Sequence, residues 1–175
     1  MPRLLLGCDN KISLRMLDNH LSQQHTFGQV CKRRDGWTTV MVGFRPQDLQ
    51  KVNDGTAGNG NKLYWVKACQ FDDGGGKVYA NFAAKDKMLF SGLTLVCSPS
   101  QAKCCLGTIK LSHPTTKHYH TEMLCPVTSI DTPPSEVMES GNYLTVTGHC
   151  LEKAVDPPNQ DGFQSVKVAF KIVNI

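Results

Sequence analysis

Two segments within the last 34 residues alternate between apolar and polar side chains, and this pattern constrains the fold more than any other. Residues 142–150 alternate with Leu144, Val146 and Cys150 on the apolar side. After a proline-rich loop the alternation returns in Val166, Val168, Phe170 and Ile172. A period of two residues is typical of a strand with one buried face. The second strand ends the chain, and we expect it to lie in the middle of a sheet, since a free terminal strand would fray.

Six further segments have the composition of strands: 37–44, 63–71, 77–82, 88–97, 104–111 and 121–130. The segments 63–71 and 77–82 flank an Asp-Asp-Gly-Gly-Gly sequence, which predicts a hairpin. About eight strands at this spacing are typical of sandwiches and barrels. We therefore predict an all-β fold: a single antiparallel β-sandwich, jelly-roll-like, with one short N-terminal helix from Asp9 or Asn10 to about His20.

Length and hydropathy limit where such a protein resides. The 175 residues fit one domain. No apolar run approaches the roughly 18 residues of a membrane span. The run Leu4–Leu6 is too short for the core of a signal peptide. We expect no membrane association and no secretion, and hence an intracellular (cytoplasmic) protein, or one located in a virion if the source is viral.

The eight cysteines do not resemble a disulfide framework. Cys69, Cys97 and Cys150 lie in apolar strand-like runs, where a free cysteine behaves as a small hydrophobic residue. No Cys-x-x-Cys pair occurs, and the adjacent Cys104 and Cys105 suit neither a relaxed disulfide nor a common zinc site. The sequence predicts reduced, mostly buried cysteines.

Cys150 is also a candidate nucleophile, because the length and strand content fit a chymotrypsin-like viral cysteine protease. Such an enzyme needs glycines just after the cysteine to build an oxyanion hole from backbone N–H groups. Leu151 and Glu152 stand there instead. The sequence favours Cys150 as a core residue and predicts no catalytic residue.

All of the excess positive charge lies near the N-terminus. Residues 1–34 hold six basic and two acidic side chains, whereas residues 35–175 hold 13 of each. A charge asymmetry of this kind indicates a segment that faces a polyanion. We predict a basic N-terminal segment, 1–34, that includes the short helix and packs on or leads into a sandwich domain, 35–175.

The densest part of that segment is Lys32-Arg33-Arg34, with Trp37 three residues further on. Cations of this kind bind phosphates, and an indole ring stacks on bases. The predicted nucleic-acid-binding residues are Arg3, Lys11, Arg15, Lys32, Arg33, Arg34 and Trp37. The alternative is an ordinary solvated surface.

A histidine cluster offers a different chemistry. His113, His118, His120 and Glu122 fall within ten residues. On a strand, His118 and His120 would share one face, as a His-x-His metal site requires. The cluster resembles the metal motif of cupins, which are also double-sheet β folds. That resemblance implies a divalent metal held by His118, His120 and Glu122. The alternative is a polar loop at the end of a sheet, with no cofactor.

In strand count, size and N-terminal charge the chain resembles the single jelly-roll coat proteins of small RNA or DNA viruses. The resemblance implies a self-assembling structural protein that forms a homo-oligomer or larger assembly and contacts RNA or DNA through its basic segment. Two alternatives stay open: a cupin-like metal-binding enzyme or small-ligand binder that uses the histidine cluster, and a non-catalytic protein-interaction module.

Overall fold

The computed structural model describes residues 13–16, 19–20, 23, 27–28, 32–56, 64–72, 77–116 and 118–175. These residues form eleven strands and four helices. The strands are β1 (Phe27–Gly28), β2 (Lys32–Arg34), β3 (Trp37–Phe44), β4 (Tyr64–Asp72), β5 (Lys77–Lys85), β6 (Met88–Leu95), β7 (Cys105–Ser112), β8 (His120–Pro126), β9 (Thr128–Ser129), β10 (Leu144–Thr147) and β11 (Gln164–Asn174). The helices are α1 (Pro46–Asp54), α2 (Pro99–Ala102), α3 (Pro134–Ser140) and α4 (Gly148–Ala154).

The strands form two sheets. The five-stranded sheet has the order β2-β3-β11-β7-β8 and is antiparallel throughout. The six-stranded sheet has the order β1-β4-β5-β6-β10, with β9 paired to β6. Its two short pairs, β1 with β4 and β6 with β9, are parallel. The predicted all-β sandwich is confirmed. Its connectivity combines a β4-β5-β6 meander with a pairing of the first and last long strands, β3 and β11.

The C-terminal strand lies in the middle of its sheet, as predicted. β11 pairs with β3 from Gln164 to Phe170 and with β7 from Lys167 to Asn174. Val166, Val168 and Phe170 are buried between the sheets, and Ile172 packs against the same core. The two sheets meet through contacts such as Phe44 on β3 against Phe82 on β5, with ring centroids 6.2 Å apart in an edge-to-face arrangement. This packing makes β11 the centre of the fold.

The predicted strand 142–150 is too long, because the chain turns into helix α4 after Thr147. The Thr147 side chain accepts a hydrogen bond from the N–H of Cys150, which caps the helix. Gly148 lets α4 approach α1, since a Cβ there would lie only 3.1 Å from Cα of Asn53. Leu151 is the buried residue of this turn, and Cys150 is half-exposed. The prediction that Cys150 lies in a strand is therefore wrong, although the half-buried Cys150 does pack against the core from α4.

The five cysteines whose side chains the structure describes are all free thiols. Cys105 and Cys125 are buried, Cys97 and Cys150 are half-buried, and Cys104 is exposed. Cys97 lies outside the core because β6 ends at Leu95. The prediction that the cysteines are mostly buried thus fails for Cys104, and Cys97 is not a strand residue.

The N-terminal segment contributes a strand to each sheet: β1 pairs with β4, and β2 pairs with β3. Of the predicted N-terminal helix, the described residues include a 3-10 turn, Leu14–Met16, and helical residues at 19, 20 and 23. The boundary between residues 34 and 35 stays a prediction. Among the described residues, no helix has the length and hydrophobicity to cross a membrane.

Candidate nucleic-acid interface

The side of the five-stranded sheet that faces away from the core, here called the outer face, is built by strict alternation. In β7, Ile109 and Leu111 are buried, whereas Lys110 and Ser112 are half-exposed. In β11, Val166 and Val168 are buried and Lys167 between them is half-exposed. Residues directly opposite each other on neighbouring strands share a face. The register therefore sorts the outward residues into rows that cross the sheet.

Four such rows cross β8, β7 and β11, and two of them continue onto β3. Adjacent strands within a row lie about 4.8 Å apart. The rows are His120-Ser112-Lys167-Met41, Glu122-Lys110-Ala169-Thr39, Leu124-Thr108-Lys171 and Pro126-Leu106-Val173.

The outer face is positively charged. Its described side chains include three lysines, Lys110, Lys167 and Lys171, and a single carboxylate, Glu122. The Lys110 Nζ lies 3.9 Å from Glu122 Oε2 in a partly exposed pair. Within the described chain, Lys167 and Lys171 have no acidic partner at ion-pair distance. Among the described residues, no carboxylate therefore compensates these two charges on the outer face.

The predicted basic cluster adjoins the same sheet. Lys32 pairs with Thr39, Arg33 with Thr38 and Arg34 with Trp37. A two-residue turn joins β2 to β3, with φ of 53° at Asp35 and 77° at Gly36. Both residues have positive φ, as a type I′ hairpin turn requires. The cluster Lys32–Arg34 is consequently an edge strand of the five-stranded sheet.

Lys171 lies close to this hairpin. A Cβ on Gly36 would be 3.3 Å from Cε of Lys171, so the lysine side chain extends across the turn. Trp37, the next residue, is half-buried and leaves part of its indole accessible. The structure thus brings together Lys171, the backbone of β2 and the predicted stacking residue.

Of the other predicted cations, the structure describes one. Arg15 is exposed on the 3-10 turn. Arg3 and Lys11 lie outside the described residues.

A cleft of about 460 Å³ opens on the outer face at the far side from β2. It lies between the sheet and residues 113–116 and 119 of the β7–β8 loop, and we call it the Lys110–Lys167 cleft. Besides those two lysines it is lined by His120 and by the hydroxyl-bearing Ser112, Thr116 and Tyr119. None of the described residues that line it is acidic. The cleft therefore offers cations and hydrogen-bond donors to an anion.

His113 anchors the loop beside this cleft. Its Nδ1 accepts hydrogen bonds from the N–H groups of Thr115 at 3.3 Å and Thr116 at 3.2 Å. The ring proton is therefore on Nε2, which lies 3.5 Å from Oδ1 of Asp156. Because both ring nitrogens have partners, His113 links the β7–β8 loop to the segment before β11.

The strand geometry expected for a His-x-His metal site does not form, because β8 begins at His120 and His118 lies in the preceding loop. His120 and Glu122 do share a face of β8, and Glu122 pairs with Lys110 there. In the part of the chain that the structure describes, no three or more His, Cys, Asp or Glu side chains gather closely enough to hold a metal ion.

Cys150 lies next to the cleft through its contact with Tyr119. Hydrogen bonds from Thr147 and Tyr119, with a smaller effect of Lys153, lower the pKa of the Cys150 thiol. Burial, reinforced by Cys150, raises the pKa of Tyr119 to about 12. By contrast, burial raises the pKa of Cys125 to about 11. Cys150 is thus the more acidic of the two thiols.

Near neutral pH we expect iodoacetamide to modify Cys150 much faster than Cys125, because the thiolate is the reactive species. Tyr119→Phe removes a hydrogen-bond donor to that thiolate, so it should raise the pKa of Cys150 and slow its alkylation. Peptide mass spectrometry against time and pH measures both rates. An unchanged Cys150 rate in Tyr119→Phe, with Cys125 equally unaffected, would contradict the assigned contact.

Sequence reasoning missed the three outer-face lysines. The alternation along β7 and β11 does show that the lysines lie on the polar side of each strand. It does not show that β7 pairs with β11, because the two strands are far apart in the chain. It also missed the β2–β3 hairpin, although Asp35-Gly36 between two strand-like segments is a strong signal for one.

Comparison with known proteins adds no assignment. No protein-family model matches the chain, and no curated protein sequence is detectably similar to it. The inference of function therefore starts from the outer face, its charges and its cleft.

Proposed function

We propose that this protein is a self-assembling, coat-like structural protein whose basic N-terminal segment faces RNA or DNA. The observation that carries the proposal is the continuity of positive charge across one sheet. In the edge strand β2, Lys32 and Arg34 stand opposite Thr39 and Trp37 of the outer face, whereas Arg33 stands opposite Thr38, which is buried. The adjoining outer face carries three lysines against one glutamate. An extended cationic surface of this kind complements the regular phosphates of a nucleic acid.

Exposed apolar side chains support self-assembly. Leu124 on β8 is 61% exposed, Val173 on β11 is 42% exposed and Ile175 is 72% exposed. β8 ends the strand order of its sheet, so its outer edge is unpaired within the described chain. Apolar side chains beside an unpaired edge favour contact with another protein surface. In the proposed assembly this corner contacts a second copy, and the cationic part of the face remains for nucleic acid.

Trp37 provides the base contact in this proposal. Its half-buried ring is held by β3 beside Arg34 of β2. Stacking of a base on an aromatic ring contributes about 1–3 kcal/mol and requires unpaired bases. The proposed ligand is therefore bound through phosphates by the basic strand and through stacking by Trp37, without a sequence preference.

Reversing the charges of Lys32, Arg33 and Arg34 to Glu should weaken the binding of every nucleic acid to a similar extent. If each residue contacts one phosphate, the log–log salt slope should fall by about 2.1 for single strands and about 2.7 for duplex. Trp37→Ala should weaken single strands more than duplex. Fluorescence anisotropy of labelled oligonucleotides, titrated at several salt concentrations, measures both effects.

The matched control carries the same charge change elsewhere: Lys51→Glu, Lys103→Glu and Lys153→Glu, at exposed positions on α1, after α2 and on α4. Exposed charges contribute little to stability, so both triple variants should melt near the wild-type temperature. The proposal fails if the wild-type protein does not bind at about 50 mM salt, where phosphate contacts are strong. It also fails if the control loses as much salt dependence as the β2 variant.

A further inference from the structure

The Lys110–Lys167 cleft lies on the same face as β2 but at the opposite side of the sheet. Three strand spacings separate β2 from β7, which corresponds to roughly 14 Å. We propose that this cleft binds a phosphate group of a single-stranded nucleic acid that crosses the outer face from β2 towards β8. The inference rests on the proposed function, because it assigns a second contact to the same ligand.

Three lysines surround one small residue at the centre of this path. Lys167 and Lys171 lie two positions to either side of Ala169 on β11, and Lys110 lies directly opposite Ala169 on β7. Residues two apart on one face of a strand are about 6.7 Å apart. The small Ala169 side chain leaves the surface between these three positions free of a large side chain. This arrangement favours a group with distributed negative charge, such as a phosphodiester.

The lining of the cleft fits a phosphate. Lysine binds phosphate as a point charge, and hydroxyl groups add neutral donors. Lys167 has no acidic partner within the described residues, and its charge is available to a ligand. The Lys110–Glu122 pair is partly exposed and 3.9 Å long, so solvent screens it and a phosphate competes with the carboxylate.

The surroundings favour a single strand over an acidic protein. The path from the cleft towards β2 passes Met41, which is 41% exposed, and reaches the half-buried Trp37. Apolar and aromatic surface between cations suits bases that alternate with phosphates. Every nucleotide carries a flat ring between its charges, whereas the charged residues of an acidic peptide carry none.

The contact can be located by measuring how fast each lysine is acetylated, with and without an oligothymidylate of twelve nucleotides. In the presence of the oligonucleotide, Lys110 and Lys167 should react more slowly, whereas Lys103 and Lys153, which lie off the outer face, should not change. Peptide mass spectrometry measures each site. Equal protection of all four lysines, or none at Lys110 and Lys167, would overturn the inference.

The variant Lys110→Gln with Lys167→Gln removes both cations that hold the proposed phosphate, so it should lower the salt slope for the same oligonucleotide by about 0.7, the value for one phosphate contact. The wild-type protein should therefore lose about 2.6-fold more affinity than this variant between 50 and 200 mM salt. Lys103→Gln with Lys153→Gln removes the same charge and should keep the wild-type slope. Lys110→Arg with Lys167→Arg should also keep it, since the cations remain.

The possible outcomes distinguish a failure of the cleft inference from a failure of the proposed function. If the β2 triple variant lowers the slope and the cleft variant behaves as its control, the cleft inference is wrong and the proposed function stands. If wild-type protein binds no oligonucleotide, both are wrong. If poly-glutamate of equal charge displaces the oligonucleotide as well as unlabelled oligothymidylate does, the surface recognises charge alone, and the assignment to nucleic acid is overturned.

Discussion

Removal of residues 166–175 is expected to abolish cooperative folding. β11 lies between β3 and β7, and its loss would leave both strands without their central partner. Val166, Val168 and Phe170 are each at most 1% exposed. Burial of such side chains contributes about 1.5–3 kcal/mol apiece, which together is comparable to the whole stability of a domain. Circular dichroism during a thermal melt should show no cooperative transition.

A shorter deletion provides the control. Asn174 and Ile175 are exposed, and the structure gives Ile175 a single backbone hydrogen bond, to Cys104. A protein that lacks only these two residues should melt cooperatively close to the wild-type temperature. If the ten-residue deletion melts in the same way, β11 is peripheral and the sandwich described here is incorrect.

Phe170→Ala should destabilise the protein by about 3–5 kcal/mol, because it leaves a cavity where a phenyl ring is 1% exposed. Urea denaturation measures the change as a lower midpoint at an unchanged slope, provided the transition stays two-state. Phe170→Leu should cost less, since it keeps most of the buried apolar volume.

Val173→Ala, on the same strand but 42% exposed, is the matched control. A surface substitution of this kind usually changes the free energy of unfolding by less than about 0.5 kcal/mol. Similar losses in Phe170→Ala and Val173→Ala would contradict the assignment of Phe170 to the interface between the sheets.

The sequence predicted the strands well where the information is local. Alternation in Trp37–Phe44 and Gln164–Asn174 reflects one buried face per strand, which any sandwich requires. The hairpin of β4 and β5 also formed as predicted, because its turn sequence and flanking strands are contiguous. In this hairpin, even the outermost pair, Tyr64 and Ala84, belongs to one uninterrupted segment of the chain.

The failure at Cys150 arose from a contact that the sequence does not display. Alternation continued past Thr147, yet Gly148 allows α4 to meet α1, where Asn53 donates a hydrogen bond to Glu152. Asn53 and Glu152 are 99 residues apart. Tertiary packing of this kind overrides a short strand pattern.

The amino-acid composition could not reveal the charge of the outer face, for a similar reason. Residues 35–175 have no net charge, so a count along the chain gives no sign that Lys110, Lys167 and Lys171 share one surface. The grouping depends on the register between β7 and β11, which joins residues more than 50 positions apart. Only the cluster Lys32–Arg34 was contiguous enough to be recognised.

The mass of the protein in solution tests the proposed function most directly. Size-exclusion chromatography with light scattering should be run on the purified chain, alone and with single-stranded RNA, at low salt. We predict particles with a mass many times the 19.3 kDa of one chain, which absorb at 260 nm in proportion to bound RNA. A single 19.3 kDa species under every condition, with RNA eluting separately, would contradict a nucleic-acid-binding coat-like assembly.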